Sequence, residues 1–324
     1  MRAVVVEQWM QPSELCVSEV PEPEVGSGCL KIETRAAALN FFDLLIVQGK
    51  YQAKPAFPFV PGGEFAGEVI AVGEGVTQFA VGDRVLTSGM LGGYAERAVV
   101  PESKCIAVPP SLGFAEAAAL PIAYCTSYAA LVFRAALSEG ETLLVHAAAG
   151  GVGLAAVQIG RALGARVIAT AGGPDKLALA LEHGADVGID YRREDFAERV
   201  LELTEGKGAD VIYDPVGGDT FDRSLKCIAW NGRLLVIGFA GGRIPEVKVN
   251  RILLKNISVV GLNWPGYEEK QPDRMQATYD ALFELVEQDK IQPVIFDRYP
   301  LEALPEALGA LASRATYGKL IVEP

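Results

Sequence analysis

The stretch Thr142-Leu143-Leu144-Val145-His146-Ala147-Ala148-Ala149-Gly150-Gly151-Val152-Gly153 reads as a buried strand, a tight turn and the start of a helix. Ala148, Gly150 and Gly153 fill the three small-residue places of G-x-G-x-x-G. A side chain at Gly150 would hold the backbone away from a pyrophosphate, and Gly153 lets the helix pack close to its strand. Free N–H groups at the start of a helix over residues 152–163 would then face the phosphates. Alone, such a turn is a weak signal. Its place between a strand and a helix assigns Ala149, Gly150, Gly151 and Val152 to a dinucleotide cradle.

Downstream of the turn, strand and helix alternate strictly. Strands are predicted at 142–147, 166–171, 187–190, 210–214, 232–237 and 258–262, with helices at 152–163, 175–183, 195–204 and 220–228. Short apolar strands alternating with helices mark a doubly wound parallel sheet, here of six strands. Upstream, residues 1–110 carry short β-type runs at 3–6, 29–35, 68–72, 84–86, 94–100 and 105–108, broken by Gly and Pro. They read as a mostly β domain resembling a distorted barrel. A helix over 273–288 follows the sixth strand. The segments 293–299, 305–313 and 319–322 then look like a return to the first domain.

The end of the second strand separates NAD from NADP. An NAD site would place Asp or Glu there to accept from the ribose hydroxyls. This chain has Ala169-Thr170-Ala171-Gly172-Gly173, followed by Lys176. A neutral corner at Gly172 with a nearby cation suits a 2′-phosphate. Tyr191, beside Arg192 and Arg193 at the end of the third strand, can close that pocket. The expected cofactor is NADPH.

Composition bounds the partners. Acids outnumber bases by 41 to 29, a formal charge of −12, which argues against nucleic acid or an anionic membrane. The longest apolar runs are far short of the ~20 residues that span a bilayer. An acid at Glu7 comes too early for a signal peptide, so the expected location is the cytoplasm. The five cysteines lie far apart with no C-x-x-C pair, and the two histidines, His146 and His183, have no ligand-spaced neighbour. No metal is expected.

Several motifs carry a family resemblance: Asn40-Phe41-Phe42-Asp43, Pro61-Gly62-Gly63-Glu64-Phe65-Ala66-Gly67, Val81-Gly82-Asp83-Arg84-Val85, residues 146–153, Tyr213-Asp214-Pro215-Val216-Gly217-Gly218 and Ser313-Arg314-Ala315-Thr316. Nearly end to end, the chain resembles the zinc-independent NADPH:quinone oxidoreductases, the zeta-crystallin-like group of the medium-chain dehydrogenase/reductase superfamily. The resemblance implies an α/β fold with a GroES-like β-barrel catalytic domain over 1–122 and 266–324. A doubly wound six-stranded Rossmann domain over 123–265 would be inserted in it. Zinc members of the superfamily carry Cys and His where Asn40 and Gly63 stand here, and a cysteine-rich lobe that the stretch between Ser88 and Tyr94 lacks.

By the same resemblance, Asn40 and Tyr51 line the substrate cleft beside the nicotinamide, and Thr126 contacts its amide. Lys176, Tyr191 and Arg314 match positions that hold the 2′-phosphate. Phe239, Ala240, Asn263 and Trp264 match the cofactor-edge loops. Some relatives have Tyr at Leu45 and Arg at Trp264, so substrate preference does not carry over. The expected chemistry is hydride transfer from NADPH to a quinone or enone, with Asn40 or Tyr51 donating to the developing oxyanion. For Tyr51 an alternative is a rim residue that merely shapes the cleft. Two rival readings are a 2-enoyl thioester or alkenal reductase and a non-catalytic NADPH-binding protein. Relatives also imply a homodimer through Rossmann edge strands, here residues 251–262.

Overall fold

Buried and partly exposed side chains alternate along Cys29–Thr34, the period-two pattern of a strand with one covered face. In the computed structural model, which describes residues 1–89 and 91–324, this strand organises the first part of the chain. In chain order the elements there are β1 (Arg2–Val4), β2 (Val17–Glu19), β3 (Cys29–Ala38), α1 (Phe41–Val47), β4 (Glu64–Val72), β5 (Arg84–Ser88), β6 (Arg97–Pro101), β7 (Cys105–Ala107) and α2 (Phe114–Ala118). β3 pairs antiparallel with both β4 and β6, β4 with β5, and β5 with β7.

The middle of the chain runs α3 (Ala123–Tyr128), β8 (Thr142–Val145), α4 (Gly151–Ala162), β9 (Arg166–Ala171), α5 (Pro174–Glu182), β10 (Val187–Asp190), α6 (Phe196–Leu203), β11 (Ala209–Asp214), α7 (Gly218–Cys227), β12 (Ile228–Val236), α8 (Val249–Lys255), β13 (Ser258–Gly261), α9 (Trp264–Lys270) and α10 (Pro272–Glu287). Among the described residues its sheet is six-stranded and parallel, ordered β10-β9-β8-β11-β12-β13. The order reverses at β8, which puts the glycine turn at the topological switch point, where doubly wound sheets bind ligands. Leu144, Ile168, Ile189, Ile212 and Leu234 fill one core of this unit. The chain then returns through β14 (Ile295–Pro300), α11 (Leu304–Ala312) and β15 (Lys319–Glu323). β15 lies antiparallel to β3, with Ile321 opposite Ala38, and parallel to β14.

The molecule divides into two compact units, Met1–Ile122 with Pro293–Pro324, and Ala123–Gln292. Sequence placed 266–292 with the first unit, and the structure moves that stretch to the second. The reason lies in local bonding. Gln158 on α4 takes the Gln292 N–H at 2.7 Å and donates to the Gln292 carbonyl at 2.9 Å. Tyr124 on α3 donates to the same carbonyl at 3.0 Å. α10 buries Thr278, Tyr279 and Leu282, while Arg274 lies over the Phe133 ring of the same unit. Of the stretch between Ser88 and Tyr94, Met90 lies outside the described residues.

Candidate active site

The glycine turn is fixed from below. Ala147 takes a positive φ of 50°, and its carbonyl receives the Gly150 N–H at 2.9 Å. A Cβ at Gly153 would overlap the Ala147 carbonyl, so only glycine lets α4 approach β8 so closely. A Cβ at Gly150 would meet only the Ala147 carbonyl, at 3.4 Å, so the space beyond Gly150 is open. Ser127 on α3 donates to the Val152 carbonyl at 3.0 Å and pairs with the Tyr213 hydroxyl at 2.8 Å, which orients the first turn of α4. Thr126 is the residue before Ser127 on the same short helix. Beneath them His146 is buried between Thr170 (2.9 Å) and Ser224 (2.8 Å). Burial, aided by Arg223, lowers its pKa to about 3, so the ring is neutral and structural.

At the end of β9, Gly172 meets the end of β10. A Cβ at Gly172 would stand 2.7 Å from the Tyr191 hydroxyl and 2.8 Å from Arg192 Nε. Lys176 lies on the first turn of α5; burial, then the charge of Arg192, lowers its pKa. The acid of this corner, Asp190, is engaged by backbone: its Oδ1 accepts from the backbone N–H of Gly173 at 3.2 Å and of Arg192 at 3.1 Å. Two cations and a phenol thus converge on a glycine corner. Of the three positions matched to a 2′-phosphate, Lys176 and Tyr191 come together here with Arg192. Arg314 lies in the other unit, at a positive φ of 58°, on a groove of about 460 Å³ lined also by Phe41, Leu45 and Leu308.

The two remaining loops leave neighbouring strands. Asp214 at the end of β11 accepts from Val216 N–H (2.8 Å) and Gly217 N–H (2.9 Å), while the Ala240 N–H reaches the Pro215 carbonyl at 3.0 Å. These bonds hold Phe239 and Ala240 against the 214–217 turn. Asn263 is the N-cap residue of α9. Trp264 is buried and stacked on Tyr267, and its indole Nε1 has no hydrogen-bond partner.

In the first unit the residues around Asn40 form one buried network. Asn40 ends the turn after β3 and precedes α1; its N–H donates to Asp43 Oδ2 at 2.8 Å. Its amide points inward: Nδ2 donates to Glu64 Oε1 at 2.8 Å and Oδ1 accepts from Lys319 Nζ at 2.7 Å. Lys319 also donates to Glu64 Oε1 (2.7 Å) and the Leu39 carbonyl (2.8 Å), and Glu64 Oε2 accepts from Ile122 N–H (2.7 Å). The expectation that the Asn40 amide donates to substrate therefore meets a competing geometry, in which both of its polar atoms are engaged inside the unit. Tyr51 is half-buried, with its ring 5.7 Å from that of Phe42. Phe42 in turn occupies the space that a side chain at Gly63 would need. Glu64 and Lys319 escaped the sequence reading because their partners lie 24 to 280 residues away. Among the described residues, no three His, Cys, Asp or Glu side chains gather as a metal-binding group.

Comparison with known proteins follows the same division. Residues 26–110 match the family model described as alcohol dehydrogenase GroES-like domain, and residues 151–285 the model described as zinc-binding dehydrogenase. The chain is 42% identical over 301 residues to a quinone oxidoreductase-like protein 2 homolog of Nematostella vectensis, covering 92% of this chain and 82% of that protein. It is 40% identical over 314 residues to a quinone oxidoreductase of Pseudomonas aeruginosa, covering 97% and 96%. Among solved structures, the Escherichia coli quinone oxidoreductase complexed with NADPH superposes with a TM-score of 0.93 at 33% identity, covering 100% of both chains.

Proposed function

The chain belongs to the quinone oxidoreductase-like family of the medium-chain dehydrogenase/reductase superfamily, and on that premise we propose that it is an NADPH-dependent oxidoreductase acting on quinones or related electron-poor conjugated carbonyls without a metal. The observation that carries the reading is the corner at Gly172, where Lys176, Tyr191 and Arg192 converge and the nearby acid is turned onto backbone amides. A dianionic 2′-phosphate suits such donors, whereas the diol of NADH would leave two cations facing each other. The cradle also fits a dinucleotide, since Gly150 leaves open space at the first turn of α4.

When bound, the dinucleotide supplies the hydride. The first-turn N–H groups of α4 hold its pyrophosphate, with Ala149, Gly150, Gly151 and Val152 forming the floor. Lys176, Tyr191 and Arg192 fix the phosphate end. Thr126, Phe239, Ala240 and Asn263 border the rest. With the Asn40 amide engaged by Glu64 and Lys319, Tyr51 becomes the preferred hydrogen-bond donor to the acceptor oxygen, and Asn40 holds the start of α1 in place.

The zinc implied by one matching family model does not suit these residues. Zinc takes thiolate, imidazole and carboxylate ligands at about 2.0–2.3 Å. Here Asn40 and Glu64 are taken by an ammonium group, and Phe42 fills the side-chain space of Gly63. A conjugated, electron-poor acceptor needs less polarisation than a simple alcohol or ketone. The homodimer belongs to the same proposal. β13 is an edge strand, and beside it α8 exposes Val249, Leu253 and Leu254, an apolar face that a second copy would cover.

The test is to follow NADPH and NADH oxidation with a panel of quinones, alkenals and 2-enoyl thioesters. Turnover of quinones with NADPH supports the reading. Selective turnover of thioesters or alkenals moves the substrate class. Tight NADPH binding with no turnover of any acceptor favours a non-catalytic role.

A further inference from the structure

Lys319 begins the last strand, and its side chain is only 5% exposed, against a fully buried Glu64. Its three ammonium protons meet three oxygens, Asn40 Oδ1, Glu64 Oε1 and the Leu39 carbonyl, at 2.7–2.8 Å. Those oxygens come from the β3–α1 turn and the start of β4, and the cation from β15, so one point charge gathers three separate parts of the chain. Buried charge is costly unless every partner is supplied, and here each ammonium proton has one. A carboxylate, an amide oxygen and a backbone carbonyl around one point are also the donor types that a hard divalent cation takes.

We propose that the Lys319 ammonium is a built-in cation that stands at the convergence of Asn40 Oδ1, Glu64 Oε1 and the Leu39 carbonyl, does the positioning work of a bound metal ion there, and keeps a metal ion out. Lys319 is thus a positioning residue: it holds the Asn40 amide and Glu64 in one arrangement at the root of α1. Through Glu64 Oε2 the same network holds the N–H of Ile122. The proposal is independent of which acceptor the enzyme reduces.

The charge at this point has a direct consequence. Cutting the side chain back to Cβ leaves the buried Glu64 carboxyl without its cation and opens space beside it for an ion. The full-length chain and its Lys319→Ala, Lys319→Arg and Lys319→Met/Glu64→Gln variants are titrated with Mn²⁺. Free ion is read by electron paramagnetic resonance, and thermal unfolding is followed with and without the ion. Lys319→Ala is expected to take up one Mn²⁺ per chain, at least ~10-fold more tightly than wild type, and to unfold at a higher temperature when the ion is present. Lys319→Arg and the double variant, which keep a cation or remove the charge pair, are expected to behave as wild type. Should Lys319→Ala fold only when Mn²⁺ is supplied, that too supports the proposal. Four results would overturn it: a folded Lys319→Ala that takes up no Mn²⁺, one that stays unfolded with Mn²⁺ supplied, equal uptake by wild type, or uptake by the double variant.

Discussion

Asp43 is buried, with one carboxyl oxygen accepting from the Asn40 N–H and the Tyr94 hydroxyl and the other facing no partner. Burial outweighs those two donors and raises its pKa to about 7. The folded chain therefore keeps a proton that the unfolded chain, titrating near ~3.9, has already lost. Stability from this group is fully present below the unfolded value and is lost as pH rises through about 7. Asp43→Asn is expected to flatten the denaturant-unfolding profile between pH 5 and 8, with a gain of about 1–2 kcal/mol at the alkaline end. An unchanged slope would remove Asp43 as its source. At the Gly172 corner, Arg192→Ala is expected to weaken NADPH binding about 10–100-fold while leaving NADH within ~2-fold, as measured by equilibrium fluorescence. Equal loss for both would mean the guanidinium only supports the fold. Lys176 and Tyr191 stand out in the sequence because a cation follows the acid-free end of β9 and a phenol follows β10. Asn40 was legible as a position but not in its direction, since Glu64 and Lys319 turn its amide inward from distant parts of the sequence.

The glycine turn separates folding from binding within one element. Gly153→Val would press a side chain into the Ala147 carbonyl and is expected to cost at least ~3 kcal/mol, read as a large drop in Tm. At Gly150 a methyl meets only ordinary contact, so Gly150→Ala is expected to keep Tm within a few degrees and yet weaken NADPH binding about tenfold or more. Loss of stability without loss of binding at Gly150 would mean the open side of the turn faces no ligand. Strictly alternating strands and helices around this turn were readable, and β8 through β13 fall within a few residues of their predicted places. Among the described helices, α1 (Phe41–Val47), α3 (Ala123–Tyr128), α8 (Val249–Lys255) and α9 (Trp264–Lys270) were not. Each is short. α1 is too apolar for a clear helical face, α3 is too short to show one, and α8 turns Val249, Leu253 and Leu254 outward, against the usual pattern.

Among the described residues, the parallel sheet and the seven-stranded sheet completed by β15 follow the two styles of sequence, but the point where the chain returns to the first unit does not. Helical periodicity over α10 says nothing of the unit that receives it. That choice rests on Gln158 and Tyr124 binding the backbone of Gln292. Among the described residues no helix is long and apolar enough to cross a membrane. For the proposed pairing of two copies, Leu253→Asp on the exposed face of α8 is expected to leave Tm of the monomer nearly unchanged and to halve the mass seen by light scattering. A mass unaffected by this change would place the contact elsewhere. The central claim, use of NADPH to reduce an electron-poor conjugated acceptor without metal, is tested most directly by steady-state oxidation of NADPH and NADH with a simple quinone in the presence of a chelator. Turnover that the chelator does not diminish is expected, with kcat/KM at least ~10-fold higher for NADPH than for NADH. Equal use of the two cofactors, or activity abolished by the chelator and restored by zinc, would contradict it.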